Sequence, residues 1–232
     1  MKTKNSIWEI LKSRLPGARQ NVLLAPYTTY KIGGEARYFF AAKTKEDLKT
    51  AVEVAYSFKL PIFILGGGSN LLISDTGFNG LVVKISMNKK ELAGNIIYCE
   101  AGAMLGNLTG FCLEHSLTGF EWSAGIPGTV GGAIYGNAQA FGTKISHAIK
   151  EVEYFDIKAK KFKTASKEQC KFTLKNSIFK RNKNLIITSA ILEFKEGDKK
   201  LIKEKIQEFL SHRKNGHPIE FPSAGSVFVN PE

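Results

Sequence analysis

Two glycine-rich stretches constrain what this chain can fold into more than any other feature. Residues 66–70 (GGGSN) follow an apolar run, and residues 125–132 (GIPGTVGG) come later in the chain. Backbone N–H groups crowd around a phosphate only where side chains do not intervene, and glycine also adopts the positive φ angles of such loops. Together the stretches predict two walls of one phosphate site, although each by itself fits an ordinary tight turn equally well.

The second stretch also predicts the start of a helix. Pro127 and Gly128 form a turn signal, and small residues follow as far as Ala133. The unpaired N–H groups and the dipole at a helix N-terminus attract anions. We therefore expect the N–H groups at the start of this helix to face a phosphate.

Two common phosphate-binding motifs are excluded for the first stretch. A Walker loop needs a lysine and then serine or threonine after its last glycine, but Ser69 and Asn70 follow Gly68. A dinucleotide-binding fingerprint needs a third glycine three positions further on, with a helix directly behind it. Leu71 stands there instead, and residues 71–75 predict another short strand.

Apolar periodicity predicts an α+β fold. Residues 44–47 (TKED) resemble a capping box, and the spacing that follows predicts a helix to about Phe58. Predicted strands at 37–42 and 61–65 flank it, so the first glycine stretch lies at the carboxyl end of a strand in a β-α-β unit, where ligands bind. Further strands are predicted at 81–85, 96–101, 152–157 and 185–194, and a further helix at 104–115.

The pattern breaks near Gly197, and an amphipathic helix over 198–213 begins there. Its apolar residues are Leu201, Ile202, Ile206, Phe209 and Leu210. We expect three segments: 1–80 and 81–196 as two lobes, and 197–232 as the start of a third domain. Because about 35 residues rarely form a core unaided, the third domain is expected to be incomplete. The exposed apolar face of the helix predicts poor solubility or association if no partner covers it.

Composition excludes several classes of protein. The 232 residues include 43% hydrophobic residues but no apolar run of signal-peptide or transmembrane length, which favours a cytoplasmic protein without a membrane partner. The three cysteines and four histidines show no ligand spacing, so no metal is expected. The net charge of +12 fits nucleic acid, a membrane surface or small anions, but its scattered lysines favour a solvated surface over a nucleic-acid partner.

Four segments in order resemble the UDP-N-acetylenolpyruvoylglucosamine reductases (MurB), flavoenzymes of peptidoglycan precursor synthesis and thus of cell-wall biogenesis. They are residues 28–34 (TTYKIGG), 61–75, 124–138 and 222–228 (PSAGSVF). The resemblance implies a two-lobed FAD-binding unit of the vanillyl-alcohol-oxidase type and a domain that closes over a UDP-sugar. In the family, NADPH reduces non-covalently bound FAD, a hydride then passes to UDP-N-acetylglucosamine enolpyruvate, and a serine donates the proton.

The resemblance also implies roles for particular residues. Ser226 matches the proton-donating serine, and Lys175 stands where an arginine normally braces the enolate. Substrate contacts are expected from Arg213, Ser223 and Gly225. Cofactor contacts are expected from Tyr30, Ile32, Gly33, Gly66, Gly67, Gly68, Ser69, Asn70, Gly125, Gly128, Thr129, Gly131, Gly132 and Asn137.

The sequence departs from the family pattern in ways that bear on activity. Lys175 keeps the positive charge but loses the bidentate fork of arginine. The family's glutamate near the C-terminus has no counterpart, which predicts a C-terminally truncated member. A complete member is expected to be a monomer, whereas association is expected here. The reductase is thus one hypothesis and a catalytically impaired FAD-binding and UDP-sugar-binding module another; residues 223–226 argue against a third, a sugar or alcohol oxidase.

Overall fold

The structure, a computed structural model, describes residues 7–216 and 220–225. These fall into two compact units: residues 7–86 with 222–225, and residues 87–216 with 220–221. The division predicted from sequence (1–80, 81–196 and 197–232) stays a prediction. Among the described residues, no helix combines the length and apolarity needed to cross a membrane.

The first unit is built on a four-stranded sheet in the order β1-β2-β4-β3. Strand β4 pairs in parallel with both β2 and β3, whereas β1 is antiparallel to β2. The predicted β-α-β unit is therefore confirmed, with β4 inserted between its two strands. The elements are α1 (Ile7–Arg14), β1 (Arg19–Leu23), β2 (Glu35–Ala42), α2 (Lys45–Ser57), β3 (Ile62–Leu65) and β4 (Phe78–Ile85).

Helix α2 begins where its sequence predicts. The Asp47 N–H donates to Thr44 Oγ1 at 3.0 Å, and the Thr44 N–H donates to Asp47 Oδ2 at 3.0 Å, which completes the capping box. The buried face of the helix, Leu48, Ala51, Val52, Val54 and Ala55, packs on β2 and β4. Local sequence thus fixes how the chain reaches β3 and the first glycine stretch.

The prediction of a strand at residues 71–75 is wrong. Leu71 and Ile73 do pack against the core of the first unit, and Leu72 is 74% exposed, so the alternation that suggested a strand is real. However, the segment joins no ladder; the Gly34 N–H donates to the Ser74 carbonyl, and residues 75–76 turn at once. The alternation therefore reflects which side chains pack on the core, while the backbone of the segment pairs with no strand of the sheet.

The second unit contains an antiparallel five-stranded sheet in the order β11-β10-β12-β6-β5. The predicted strands at 96–101, 152–157 and 185–194 and the predicted helix at 104–115 are all present with small shifts at their ends. The elements are β5 (Lys90–Ala93), β6 (Ile96–Glu100), α3 (Leu105–Glu114), β7 (Leu117–Thr118), α4 (Val130–Tyr135), β8 (Gln139–Ala140), β9 (Thr143–Lys144), β10 (Ile149–Asp156), β11 (Lys161–Ser166), α5 (Ile178–Arg181), β12 (Leu185–Glu193), β13 (Lys195–Glu196) and α6 (Lys199–Gly216).

Helix α6 packs on the second unit, against α3, β7 and the turn Glu121–Ser123. Asp198 Oδ1 accepts from the Lys200 and Leu201 N–H groups and so starts the helix. Ile202 is buried, and Phe209 stacks on Phe141 with ring centroids 4.3 Å apart. The predicted exposed apolar face is therefore only partly covered, since Leu201 is 62% exposed and Leu210 is 42% exposed.

The three cysteines, Cys99, Cys112 and Cys170, are free and buried, and burial raises the pKa of each thiol to about 12. Because only the thiolate reacts, Ellman's reagent at about pH 8 should label fewer than one thiol per folded chain and all three in guanidinium. Rapid labelling of the folded chain would contradict the burial of the thiols.

An unfolded cysteine thiol titrates near pH 8.5, so above that pH the unfolded state loses protons that the folded state keeps. The free energy of unfolding should therefore fall as the pH rises from about 9 to about 12.

Candidate functional site

The first glycine stretch follows β3 at the carboxyl edge of the parallel strands in the first unit. Gly68 is its most constrained residue, with φ of +66°. A β-carbon added there would lie 1.9 Å from the Tyr27 carbonyl oxygen, so no side chain fits. The Thr29 N–H donates to the Gly68 carbonyl at 3.1 Å. Glycine is thus required at position 68 by the fold itself.

The segment that carries Tyr30, Ile32 and Gly33 meets the first glycine stretch at Gly68, through the bond from the Thr29 N–H. Thr28 is buried, and its hydroxyl lies 3.1 Å from the carbonyl oxygens of Ala25 and Ile32, which shapes the segment that carries Tyr30, Ile32 and Gly33. Tyr30 is half-buried, and Ile32 is 41% exposed. The segment is therefore joined to the glycine stretch through its backbone, and the side chains of Tyr30 and Ile32 stay partly exposed.

Lys84 is a feature of this loop that sequence reasoning missed. Its Nζ donates to the Gly66 carbonyl at 3.2 Å, and Lys84 lies opposite Leu65 in the ladder between β3 and β4. Partial burial lowers the pKa of this lysine. The available signal was a lone lysine within the apolar run of residues 81–85 (LVVKI).

The second glycine stretch is held against residues 101–105 of the second unit. The Val130 N–H donates to the Ala103 carbonyl, the Gly131 N–H to the Ala101 carbonyl, and the Gly132 N–H to Thr129 Oγ1 at 3.3 Å. The helix predicted to begin here does form, as α4. The expectation that its first N–H groups face a phosphate is wrong, because the protein itself uses these three donors.

The N–H groups of the second stretch that have no acceptor in the described part of the chain lie before α4. Those of Gly125, Gly128 and Thr129 donate to no residue in the described part of the chain. Gly125 and Gly128 also have positive φ angles, +69° and +128°. A bound anion would therefore meet the turn before α4 rather than the helix end.

Asn137 is 2% exposed and has a fixed orientation. Its Nδ2 donates to the Thr173 carbonyl at 2.9 Å, and no described residue donates to its Oδ1. Two further buried side-chain oxygens, Thr29 Oγ1 and Gln139 Oε1, also have no partner within the described residues. Such orphaned polar atoms are uncommon, and they fit a ligand that carries hydrogen-bonding groups. Sequence reasoning named Asn137 as a candidate but did not name Thr29 or Gln139.

Lys175 lies in a loop that is anchored to α4. Ser177 Oγ donates to the Tyr135 carbonyl at 2.8 Å, and Asn137 holds the same loop through Thr173. Lys175 has φ of +52°, is exposed, and accepts a bond from Lys180 Nζ on its carbonyl. The structure thus brings Lys175 and Asn137, two predicted site residues, into one part of the second unit.

Arg213 on α6 lies against Gly125. A β-carbon added to Gly125 would lie 3.2 Å from Arg213 Cδ, and burial lowers the pKa of the Arg213 guanidinium. Within residues 7–216 and 220–225, no acidic side chain pairs with it. Ser223 Oγ accepts from the Gly225 N–H at 3.2 Å in an exposed turn of the first unit. Ser226 lies outside the described residues.

Comparison with known proteins identifies the family. A family model described as FAD binding domain matches residues 36–161. A UDP-N-acetylenolpyruvoylglucosamine reductase of Clostridium botulinum is 36% identical over 92% of this chain and 70% of its own length. A reductase of the same name, numbered 2, from Bacillus cereus is 35% identical over 97% of this chain and 74% of its own. The chain belongs to the UDP-N-acetylenolpyruvoylglucosamine reductase family.

A solved structure agrees with this membership. The crystal structure of UDP-N-acetylenolpyruvylglucosamine reductase (MurB) from Thermus caldophilus superposes with a TM-score of 0.80 at 32% identity, covering 92% of this chain and 76% of that one. The predicted family and the predicted α+β fold with an FAD-binding unit are therefore confirmed. The fold itself requires glycine at position 68, whereas contact of either glycine stretch with the cofactor stays a prediction.

Alanine substitutions in the two stretches should show which glycines the fold requires. Gly68→Ala places a methyl group against the Tyr27 carbonyl oxygen, so the thermal midpoint should fall by about 6 °C or more. Gly132→Ala is the matched control, because the nearest atom to its new β-carbon is Thr129 Oγ1 at 3.5 Å and the position is helical. Its midpoint should stay within about 2 °C of the parent. Calorimetry measures both, and equal losses would contradict the distinction.

Proposed function

We propose that this chain reduces UDP-N-acetylglucosamine enolpyruvate to UDP-N-acetylmuramate in peptidoglycan precursor synthesis. It is a flavin-dependent oxidoreductase with FAD as cofactor and NADPH as reductant. The observation that carries this function is family membership over 92% of the chain, a span that includes both glycine stretches. A cytoplasmic location, the oligomeric state and the three-segment division stay predictions.

The residues that would hold FAD form two groups, one in each unit. In the first unit they are Tyr30, Ile32, Gly33, Gly66, Gly67, Gly68, Ser69 and Asn70. In the second unit they are Gly125, Gly128, Thr129, Gly131, Gly132 and Asn137. Unused N–H groups suit a diphosphate, and the orphaned oxygens of Thr29 and Asn137 suit hydrogen-bond donors of the cofactor. Gly131 and Gly132 contribute through their lack of side chains, since their N–H groups are already occupied.

The chemistry needs a hydride at one carbon of the enolpyruvyl double bond and a proton at the other. Bound FAD would supply the hydride-accepting and hydride-donating ring. Ser226 would supply the proton, and a weakly acidic hydroxyl can do so only where nearby charge stabilises the negative charge that develops on the substrate carboxylate. Lys175 would provide that charge as a point cation rather than as a fork.

The substrate carries negative charge at several positions, and the Arg213 guanidinium is suited to bind one of them. Its guanidinium is half-buried against Gly125 and has no acidic partner among the described residues. A cation in that state favours an anionic ligand, because a buried charge is stable only when paired. Ser223 and Gly225 would bind the substrate through the turn that precedes Ser226.

The proposed reaction gives a direct spectroscopic expectation. The purified chain, reconstituted with FAD, should show a flavin spectrum that bleaches on anaerobic addition of NADPH. Adding UDP-N-acetylglucosamine enolpyruvate should then restore the oxidised spectrum. Bleaching without recovery would indicate a module that binds FAD but does not catalyse, and absence of bound flavin would overturn the proposal.

Replacing the proposed proton donor should affect only the second half of that reaction. Ser226→Ala should bind FAD and bleach with NADPH as the parent does, but the substrate-dependent recovery should slow by about 100-fold or more. Ser211→Ala, at an exposed position on α6, is the matched control and should recover at the parental rate. Stopped-flow absorbance measures both steps, and parental recovery in Ser226→Ala would remove Ser226 from the mechanism.

A further inference from the structure

Lys84 is a cation at the end of β4, within a run of residues (81–85) that is otherwise apolar. Its neighbours in β4, Val83 and Ile85, are buried, and Lys84 itself is half-buried. The side chain reaches the first glycine stretch, where Nζ donates to the Gly66 carbonyl at 3.2 Å. The ammonium is therefore fixed at the loop rather than extended into solvent.

The charge of Lys84 is not balanced in the described part of the chain. None of the ion pairs there includes it, whereas Lys163 and Lys89 pair with Asp156 and Glu91. Those pairings raise the pKa of both lysines, but burial lowers that of Lys84. Cations withdrawn from water are normally paired, so a half-buried and unpaired ammonium is a cost that the fold alone does not repay.

The contact with Gly66 also sets the direction of a donor. The Gly66 carbonyl and the Gly67 N–H belong to one trans peptide and point in opposite directions. The Thr29 N–H holds the Gly68 carbonyl in the same way and so directs the Ser69 N–H. Neither Gly67 nor Ser69 donates its N–H to another described residue. The Gly67 and Ser69 N–H groups therefore point away from Lys84 and Thr29, which bond to the carbonyls of the same two peptides.

We propose that Lys84 is a positioning residue for the cofactor: it orients and polarises the Gly66–Gly67 peptide so that the loop N–H groups bind the diphosphate of FAD, whose negative charge balances the ammonium. This inference rests on the proposed function. An anion held by the Gly67 N–H would lie about 8 Å from Nζ across the peptide. At that distance the two charges still attract, and the ammonium strengthens the N–H as a donor.

Three variants of the full chain test the inference. Lys84→Met removes the charge and keeps the length of the side chain, and Lys84→Arg keeps both the charge and an N–H donor. Lys43→Met is the matched control, because Lys43 follows β2 at the same edge of the sheet but its side chain is exposed. FAD affinity is measured by quenching of flavin fluorescence, and the thermal midpoint of each apoprotein is measured alongside.

Lys84→Met should weaken FAD binding by about 10-fold or more, while Lys84→Arg stays within about threefold and Lys43→Met matches the parent. The apoprotein of Lys84→Met should melt no lower than the parent, because the substitution removes a half-buried charge that has no acidic partner among the described residues. A purely structural lysine would instead lower that midpoint.

The inference is overturned if Lys84→Met binds FAD as tightly as the parent, if Lys43→Met loses as much affinity, or if Lys84→Met melts lower or fails to fold. Failure of the parent chain itself to bind FAD would overturn the proposed function instead. The two failures are therefore distinguished by the parent protein.

Discussion

The first glycine stretch depends on a close backbone contact, the packing of Gly68 against the carbonyl oxygen of Tyr27. No β-carbon fits there, so glycine fixes how near the segment after β1 can approach the loop after β3. The Thr29 N–H then bonds the Gly68 carbonyl and secures the approach. The second unit has a counterpart in the contact of Gly131 with Ala101, where an added β-carbon would lie 2.8 Å from the Ala101 β-carbon. Glycine therefore serves the fold in both units before it serves any ligand.

The hydrogen bonds of each loop decide which of its donors remain for a ligand. At the start of α4 the N–H groups of Val130, Gly131 and Gly132 are spent within the protein. In the first unit, by contrast, Lys84 and the Thr29 N–H bond to the carbonyls of Gly66 and Gly68. The N–H groups of Gly67 and Ser69 therefore remain for a ligand. A ligand rich in phosphate oxygens is complementary to such a loop, whereas a cation is not.

Each unit also sets a half-buried cation beside its glycine stretch. Lys84 contacts Gly66 in the first unit, and Arg213 packs on Gly125 in the second; burial lowers the pKa of both side chains. Neither has an acidic partner among the described residues. Under the proposed function, such cations match the negative charge of FAD and of a UDP-sugar. The scattered surface lysines that dominate the net charge carry no such information.

Local pattern by itself determined much of this protein: the capping box of α2, the strands that flank it, the four ordered motifs, and through them the family. These are properties of neighbouring residues, so they can be recognised without the tertiary structure. The strand expected at residues 71–75 failed because side-chain alternation reports packing and cannot reveal whether a partner strand is present. The use of the α4 donors by Ala101 and Ala103, and the reach of Lys84 to Gly66, were likewise decided only by tertiary structure. Hydrogen bonds between segments that are distant in sequence leave no periodic trace, so the direction of each loop's free donors could come only from the folded chain.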